Sequence, residues 1–231
     1  NPTNPMETPR HILTSFETAL ENLRKDVLMM ASLAARSLDS ARKGLFERDE
    51  DWCNTVIADD EEVDSLEIQI DKAGMDIMLL YHPFASDLRN VIAAMKTSVN
   101  LERGADQAVG IARRARKLIL QPALPEIARI EPLFDTATNL FKDAIKAFSD
   151  GDIELARTLK LRDKGLDEQN RSFAETLADL MQKNPDSIRG YLELIFIARC
   201  LERIGDQAKS IAEDTIYAVE VKDIRHTSIP N

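Results

Sequence analysis

Apolar residues recur three or four positions apart along most of this chain, and polar residues fill the places between. Phe16, Leu20, Leu23, Val27, Met30, Ala34, Leu38, Ala41 and Leu45 trace one stripe, the period of a helix that buries a single face. This stripe predicts a helix from Phe16 to about Gly44. A second helix opens near Asp49, with Trp52, Val56, Val63, Leu66, Ile70 and Ile77 on its inner side. It stops before Tyr81-His82-Pro83, because proline turns the residue ahead of it away from helical geometry. A third opens at Phe84-Ala85-Ser86-Asp87, with Ser86 the expected cap, and carries Val91, Met95, Ser98, Glu102, Ala105 and Val109 inward.

Two prolines in Gln121–Pro125 break the chain there. The same sequence of elements then starts again. A fourth helix is expected from about Glu131 to Phe148, and a turn at Ser149-Asp150-Gly151-Asp152 follows it. A fifth holds Ile153, Ala156, Leu159, Leu166, Phe173, Leu177 and Leu180, and a sixth runs from about Ile188 to Val219. No alternating strand pattern competes. A lone amphipathic helix cannot bury its stripe, whereas three antiparallel ones with short connections can. The expected fold is therefore all-α: two tandem three-helix bundles, residues 12–121 and 126–222, related by an internal repeat and a pseudo-twofold. They would lie side by side or end to end. Residues 1–11, rich in proline, read as a disordered tail, and 223–231 as a second tail.

The repeat is visible in the letters. Leu101-Glu-Arg-Gly-Ala-Asp-Gln-Ala108 returns 100 residues later as Leu201-Glu-Arg-Ile-Gly-Asp-Gln-Ala208. Nine of 26 positions agree between 87–112 and 187–212 without a gap. Apolar periodicity would account for the leucines and alanines alone. The recurrence of Glu, Arg, Asp and Gln points to a polar site in each copy.

Glu102 and Asp106 are four apart, so they stand one above the other on one helix face at the edge of the apolar stripe. Glu202 and Asp206 repeat this. The second helix of each half supplies a facing set: Asp60 and Asp64 in the first, Asp163 and Asp167 in the second. Four carboxylates converging at a half-buried position repel one another unless their pKa values rise or a cation compensates. Arg103 and Arg203 are one compensation and a bound metal another. An all-oxygen set suits Mg²⁺, Mn²⁺ or Fe, and Zn²⁺ less well. A solvated acidic face is the plain alternative, above all for the run Asp59–Glu62. Gly104 and Gly205 sit mid-helix at a cost of ~1 kcal/mol each against alanine, which suits a closely approaching backbone or ligand and equally suits tight helix packing.

Composition narrows the functions. A net charge of −10 argues against nucleic acid as a partner. No apolar run approaches the ~18 residues of a membrane span, and no secretion signal is evident. The two cysteines, Cys53 and Cys200, suit reduced thiols in a cytoplasmic protein. Arg113, Arg114, Arg116 and Lys117 form a basic helix end, read as solvated or as a contact for an anionic lipid or acidic partner. His11, His82 and His226 lie away from the carboxylate runs, and no phosphate loop, Cys-x-x-Cys or nucleophile elbow is present. Trp52 and Met29-Met30 read as packing residues.

Arg199-Cys-Leu-Glu-Arg-Ile-Gly-Asp-Gln-Ala-Lys-Ser-Ile-Ala-Glu213 closely resembles the hallmark helix of the PhoU family, accessory proteins of phosphate-specific transport. Phe84–Arg89 with Asn100–Arg103 resembles the matching helix of that family's first repeat, and the likeness covers about residues 12–222. It implies two similar three-helix bundles. It also implies metal ions, iron or zinc among them, on acidic motifs that fall here at Asp60, Asp64, Glu102 and Asp106, and at Asp163, Asp167, Glu202 and Asp206. The first copy departs in reading Arg-Gly-Ala-Asp for the family's Arg-Ile-Gly-Asp; Asn100 and Gln207 stand where Asp and His are common. The role implied is a cytoplasmic adaptor without a reaction of its own. It would keep the phosphate-starvation response off through a phosphate ABC transporter ATPase and a sensor histidine kinase, restrain phosphate uptake, form a homodimer, and reach the membrane only through those partners. The alternatives are a metal-dependent hydrolase using the carboxylates and a purely structural helical protein.

Overall fold

The computed structural model describes residues 7–220, with side chains from residue 14 onward. Six long helices carry the fold: α1 (Glu7–Phe46), α2 (Glu50–Tyr81), α3 (Ala85–Ile119), α4 (Glu131–Asp150), α5 (Ile153–Lys183) and α6 (Ile188–Glu220). Short 3₁₀ turns, Pro125–Ile130 and Pro185–Ser187, lead into α4 and α6. Helices are the only regular elements among the described residues.

Each boundary has a local cause. Asp49 caps α2 by accepting the Asp51 N–H at 2.8 Å, and Asp152 caps α5 by accepting the Leu155 N–H at 2.9 Å. Gly151, at φ 65°, closes α4 in the left-handed conformation that glycine adopts without penalty. Between α2 and α3 the chain turns sharply around Pro83, with His82 and Ala85 at φ 48° and 46°. Here the structure departs from expectation: α3 starts at Ala85, one residue ahead of Ser86, with Phe84 at the cap position and no side-chain cap. Ser86 is thus already inside the first turn and cannot serve the turn's leading N–H groups from the cap. At the other end, α1 begins at Glu7, so the segment read as a disordered tail is helical from there on. Pro9 is compatible with this because the first turn of a helix needs no intrahelical N–H bonds. The rest of that expected tail, residues 1–6, and the expected tail 223–231 lie outside the described residues.

α1, α2 and α3 pack on one another, as do α4, α5 and α6. The halves lie side by side, joined by α3 against α6 and α1 against α4. One apolar cluster runs through both, from Leu23 in α1 to Ile216 in α6. α3 and α6 are consequently buried on more than one side. Leu101, Ile111, Leu201 and Ile211 are each 0% exposed. The spacing of small residues in α3 (Ala93, Ala94, Ala105, Ala108, Ala112, Ala115), all buried, lets neighbouring helices approach from several directions. Met30 is buried as expected, but Met29 is 55% exposed and faces outward.

Ion pairs fix the direction of crossing at the seam. Lys96 meets Asp214 at 3.1 Å and Arg114 meets Glu193 at 3.0 Å, so α3 and α6 are antiparallel. Arg42 with Glu131 (2.6 Å) and Lys142 with Asp39 (2.8 Å) make α1 and α4 antiparallel too. The basic end of α3 is spent on such pairs: Arg114 and Lys117 share Glu193, and Arg116 reaches Glu50 at 2.8 Å. Arg113, Arg116 and Lys117 nevertheless stay exposed, so this helix end is solvated as well as paired.

Candidate metal centres

The facing of α2 with α3, and of α5 with α6, brings the expected carboxylates to corresponding places in the two halves. Their chemistry differs between the halves.

In the first half, Asp60 and Glu102 are half-buried and Asp64 and Asp106 are exposed. Glu67, one turn beyond Asp64, completes the group. Burial pushes the Asp60 carboxyl up from its ordinary range, Asp64 and Asp106 add to that push, and Arg113 opposes it. Glu102 is pushed up to about 7, first by burial and then by Asp106, Glu67 and Asp64, with Arg103 pulling the other way. These carboxylates destabilise one another's charge, and the nearby arginines fall short of compensating. The arrangement has the acceptor-only oxygen chemistry that hard cations require. Among the described residues no three His, Cys, Asp or Glu side chains are set to hold one metal ion. The neighbouring Asp59 belongs elsewhere, paired with Arg36 of α1 at 3.0 Å.

In the second half, Asp163 is 3% exposed. Its Oδ2 accepts from the Lys209 ammonium at 2.6 Å, and the same ammonium donates to Asp206 Oδ1 at 2.8 Å. Burial alone would lower the Lys209 pKa, but the hydrogen bonds to Asp163 and Asp206 outweigh it and hold the group charged, above its ordinary value. Burial pushes the Asp163 carboxyl up, and Lys209 opposes that push. Glu202 accepts a hydrogen bond from the Asn170 side-chain amide. Asp167 is exposed and lies outside this network. The donor set here therefore does not fit a metal ion, because an ammonium already stands between its two aspartates.

The two mid-helix glycines answer to packing. A Cβ on Gly104 would come within 2.7 Å of the Phe141 ring of α4, across the seam. A Cβ on Gly205 would come within 2.4 Å of Leu166 and 3.1 Å of Asp163 Oδ1. The first glycine admits a neighbouring half, and the second brings α5 close enough to α6 for Asp163 to meet Lys209.

Reading the sequence by its shared letters missed Lys209 and Asn170. The signal lay in the differences between copies. Val109 stands where the second copy has Lys209, and Glu67 stands where it has Asn170 once Asp60 and Asp64 are set against Asp163 and Asp167.

Comparison with known proteins places this architecture. A family model described as the PhoU domain matches residues 27–115 and again residues 130–215. The phosphate-specific transport system accessory protein PhoU homolog of Pseudomonas putida is 34% identical over 220 residues, 95% of this chain and 86% of that protein. The phosphate-specific transport system accessory protein PhoU of Escherichia coli K12 is 32% identical over 94% of this chain and 90% of its own. The crystal structure of PhoU from Pseudomonas aeruginosa superposes with a TM-score of 0.87 at 31% identity, covering 90% of this chain and all of that one. A phosphate transport system regulatory protein from Streptococcus pneumoniae, 23% identical with a TM-score of 0.82, shares the fold.

Proposed function

This chain belongs to the PhoU family, and from that premise we propose that it is an accessory regulator of phosphate transport that keeps the phosphate-starvation response off when phosphate is plentiful. In this reading it is a cytoplasmic adaptor with no reaction of its own. It links the ATPase subunit of a phosphate ABC transporter to a sensor histidine kinase and restrains uptake. It works as a homodimer and meets the membrane only through its partners; among the described residues no helix is long and apolar enough to cross one.

The observation that carries the reading is the two-copy match over both halves of the chain, together with its relatives' description as accessory proteins of phosphate transport. The physical logic is that of a rigid body presenting outer helix faces. A core continuous through both halves and antiparallel ion pairs across the seam resist relative movement. The outer helices α2 and α5 expose long charged faces on which partners can dock. The carboxylates Asp60, Asp64, Glu102 and Asp106 are the place for a divalent or trivalent cation. Its charge would relieve their mutual repulsion and fix α2 against α3.

The test is genetic. Deletion of the gene in its host is expected to give high alkaline phosphatase activity in phosphate-rich medium, restored to repression by the intact gene. Normal repression in a strain lacking this gene and any paralogue would overturn the reading.

A further inference from the structure

The two copies of the site solve one electrostatic problem in different ways. Each places carboxylates from its second and third helices together at the edge of an apolar core. In the second half, Lys209 Nζ sits 2.6 Å from Asp163 Oδ2 and 2.8 Å from Asp206 Oδ1. The ammonium approaches from α6 itself, three residues after Asp206 and so on the same face. Its side chain is 28% exposed and that of Asp163 only 5%, the most buried carboxylate among the ion pairs described between α5 and α6. Gly205 keeps the approach open, since its missing Cβ is what lets Asp163 and Leu166 lie against α6. The amide of Asn170 donates to Glu202. The first half has none of these devices: Val109 replaces the lysine and Glu67 the asparagine.

We propose that Lys209 is the resident cation of the second half, a built-in ammonium that holds Asp163 and Asp206 together and excludes metal ions from that site. The first-half arm of the test rests on the function proposed above; the proposal about Lys209 stands on the second half's own geometry. An ammonium and a divalent cation cannot share two carboxylates at these distances: the metal needs the oxygens at about 2.0–2.6 Å, and like charges would then be in contact. A metal entering here must first displace a side chain covalently tied to α6. The remaining oxygen, Asp163 Oδ1, is buried without a hydrogen-bond partner. It is the oxygen that a larger charge would recruit once the lysine is removed.

The experiment uses the full chain, stripped with a chelator, checked for folding by circular dichroism, and titrated with Mn²⁺ while unbound ion is read by electron paramagnetic resonance. Glu102→Gln/Asp106→Asn is expected to weaken Mn²⁺ binding at least tenfold, and Asp163→Asn/Asp206→Asn to leave it unchanged. Adding Lys209→Met to the first-half variant is expected to create a Mn²⁺ site that the charge-keeping Lys209→Arg does not. Mn²⁺ binding by the first-half variant that is lost on Asp163→Asn/Asp206→Asn would overturn the proposal, and so would a folded Lys209→Met protein that gains no site. A direct observation guards against variants that fail to fold. The Lys209 ammonium resonance of the wild-type chain is expected to survive saturating Mn²⁺, and its disappearance together with the neighbouring α5 signals would place the metal where the lysine should be. Failure here leaves the phosphatase outcome untouched, so the two readings fall separately.

Discussion

Lys96 and Asp214 meet at 3.1 Å across the seam between α3 and α6, and the same place one repeat along is filled by a different pair. There Arg114 lies over the Phe196 ring, 4.2 Å from its centroid. Exchanging the halves moves Lys96 onto Phe196 and Asp214 onto Arg114, each 100 residues away. Both contacts therefore sit at equivalent points of a twofold relation, and one holds by charge where the other holds by cation–π attraction. The seam is symmetric in backbone and asymmetric in chemistry.

The worth of the Lys96–Asp214 pair follows from its surroundings. The Asp214 side chain is only 11% exposed, whereas the i,i+4 pair Lys25–Glu21 is exposed at 63% and 67%. A double-mutant cycle on Lys96 and Asp214 is expected to give a coupling of about 1 kcal/mol, against about 0.3 kcal/mol for Lys25 and Glu21. Urea denaturation of the four proteins in each cycle reads both numbers. Equal couplings would show that burial at the seam adds nothing.

Gly104 is held by the Phe141 ring. Alanine there would gain about 1 kcal/mol of helix propensity. It would also place a methyl 2.7 Å from a ring that is 1% exposed. Overpacking of this kind costs about 1–3 kcal/mol, so Gly104→Ala is expected to lower stability by about 1 kcal/mol net. Truncating the ring as well should reverse the sign of the glycine substitution, because Phe141→Ala opens the space. Thermal unfolding of the two single variants and the double variant decides it.

Glu102 makes the metal-free protein sensitive to pH. Its carboxyl is held at about 7 in the folded chain against an ordinary value of 4.5. Below pH 4.5 the group is protonated in both states and costs nothing. As pH rises from there toward 7 the unfolded chain releases its proton and the folded chain retains it, so stability falls across that window and is level above it. With a chelator present, Glu102→Gln is expected to flatten this part of the profile of Tm against pH. An unchanged slope would mean that other groups set it.

Asp152 is a cap whose loss should be local. Its carboxylate accepts the Leu155 N–H at 2.9 Å at the start of α5, about three helical turns before Asp163. Asp152→Ala is expected to cost about 1 kcal/mol and to leave the Lys209 ammonium resonance unchanged. A change in the Lys209 ammonium resonance would show that the start of α5 positions Asp163 more directly than the geometry implies.

The sequence by itself determined the six helices, their order, their pairing into two repeats and the carboxylates to inspect, because each depends on spacing along one helix. Stripe period, proline and glycine breaks, and duplicated letters are local quantities. The same stripes also placed most core residues, among them Leu38, Val56, Ile70 and Leu166. Met29 and Ser86 escaped this reading, since exposure on a wide stripe and the exact start of a turn depend on what packs nearby. Tertiary structure alone decided that the halves share one core, that the basic end of α3 is bound up in pairs with Glu193 and Glu50, and that Gly104 yields to Phe141 of another helix. It also decided the difference between the sites. Lys209 reads along its helix as one more surface lysine, and only the approach of α5, permitted at Gly205, sets a buried aspartate against it. Charge balance at a site sums over helices that meet in space, and no single helix carries that sum.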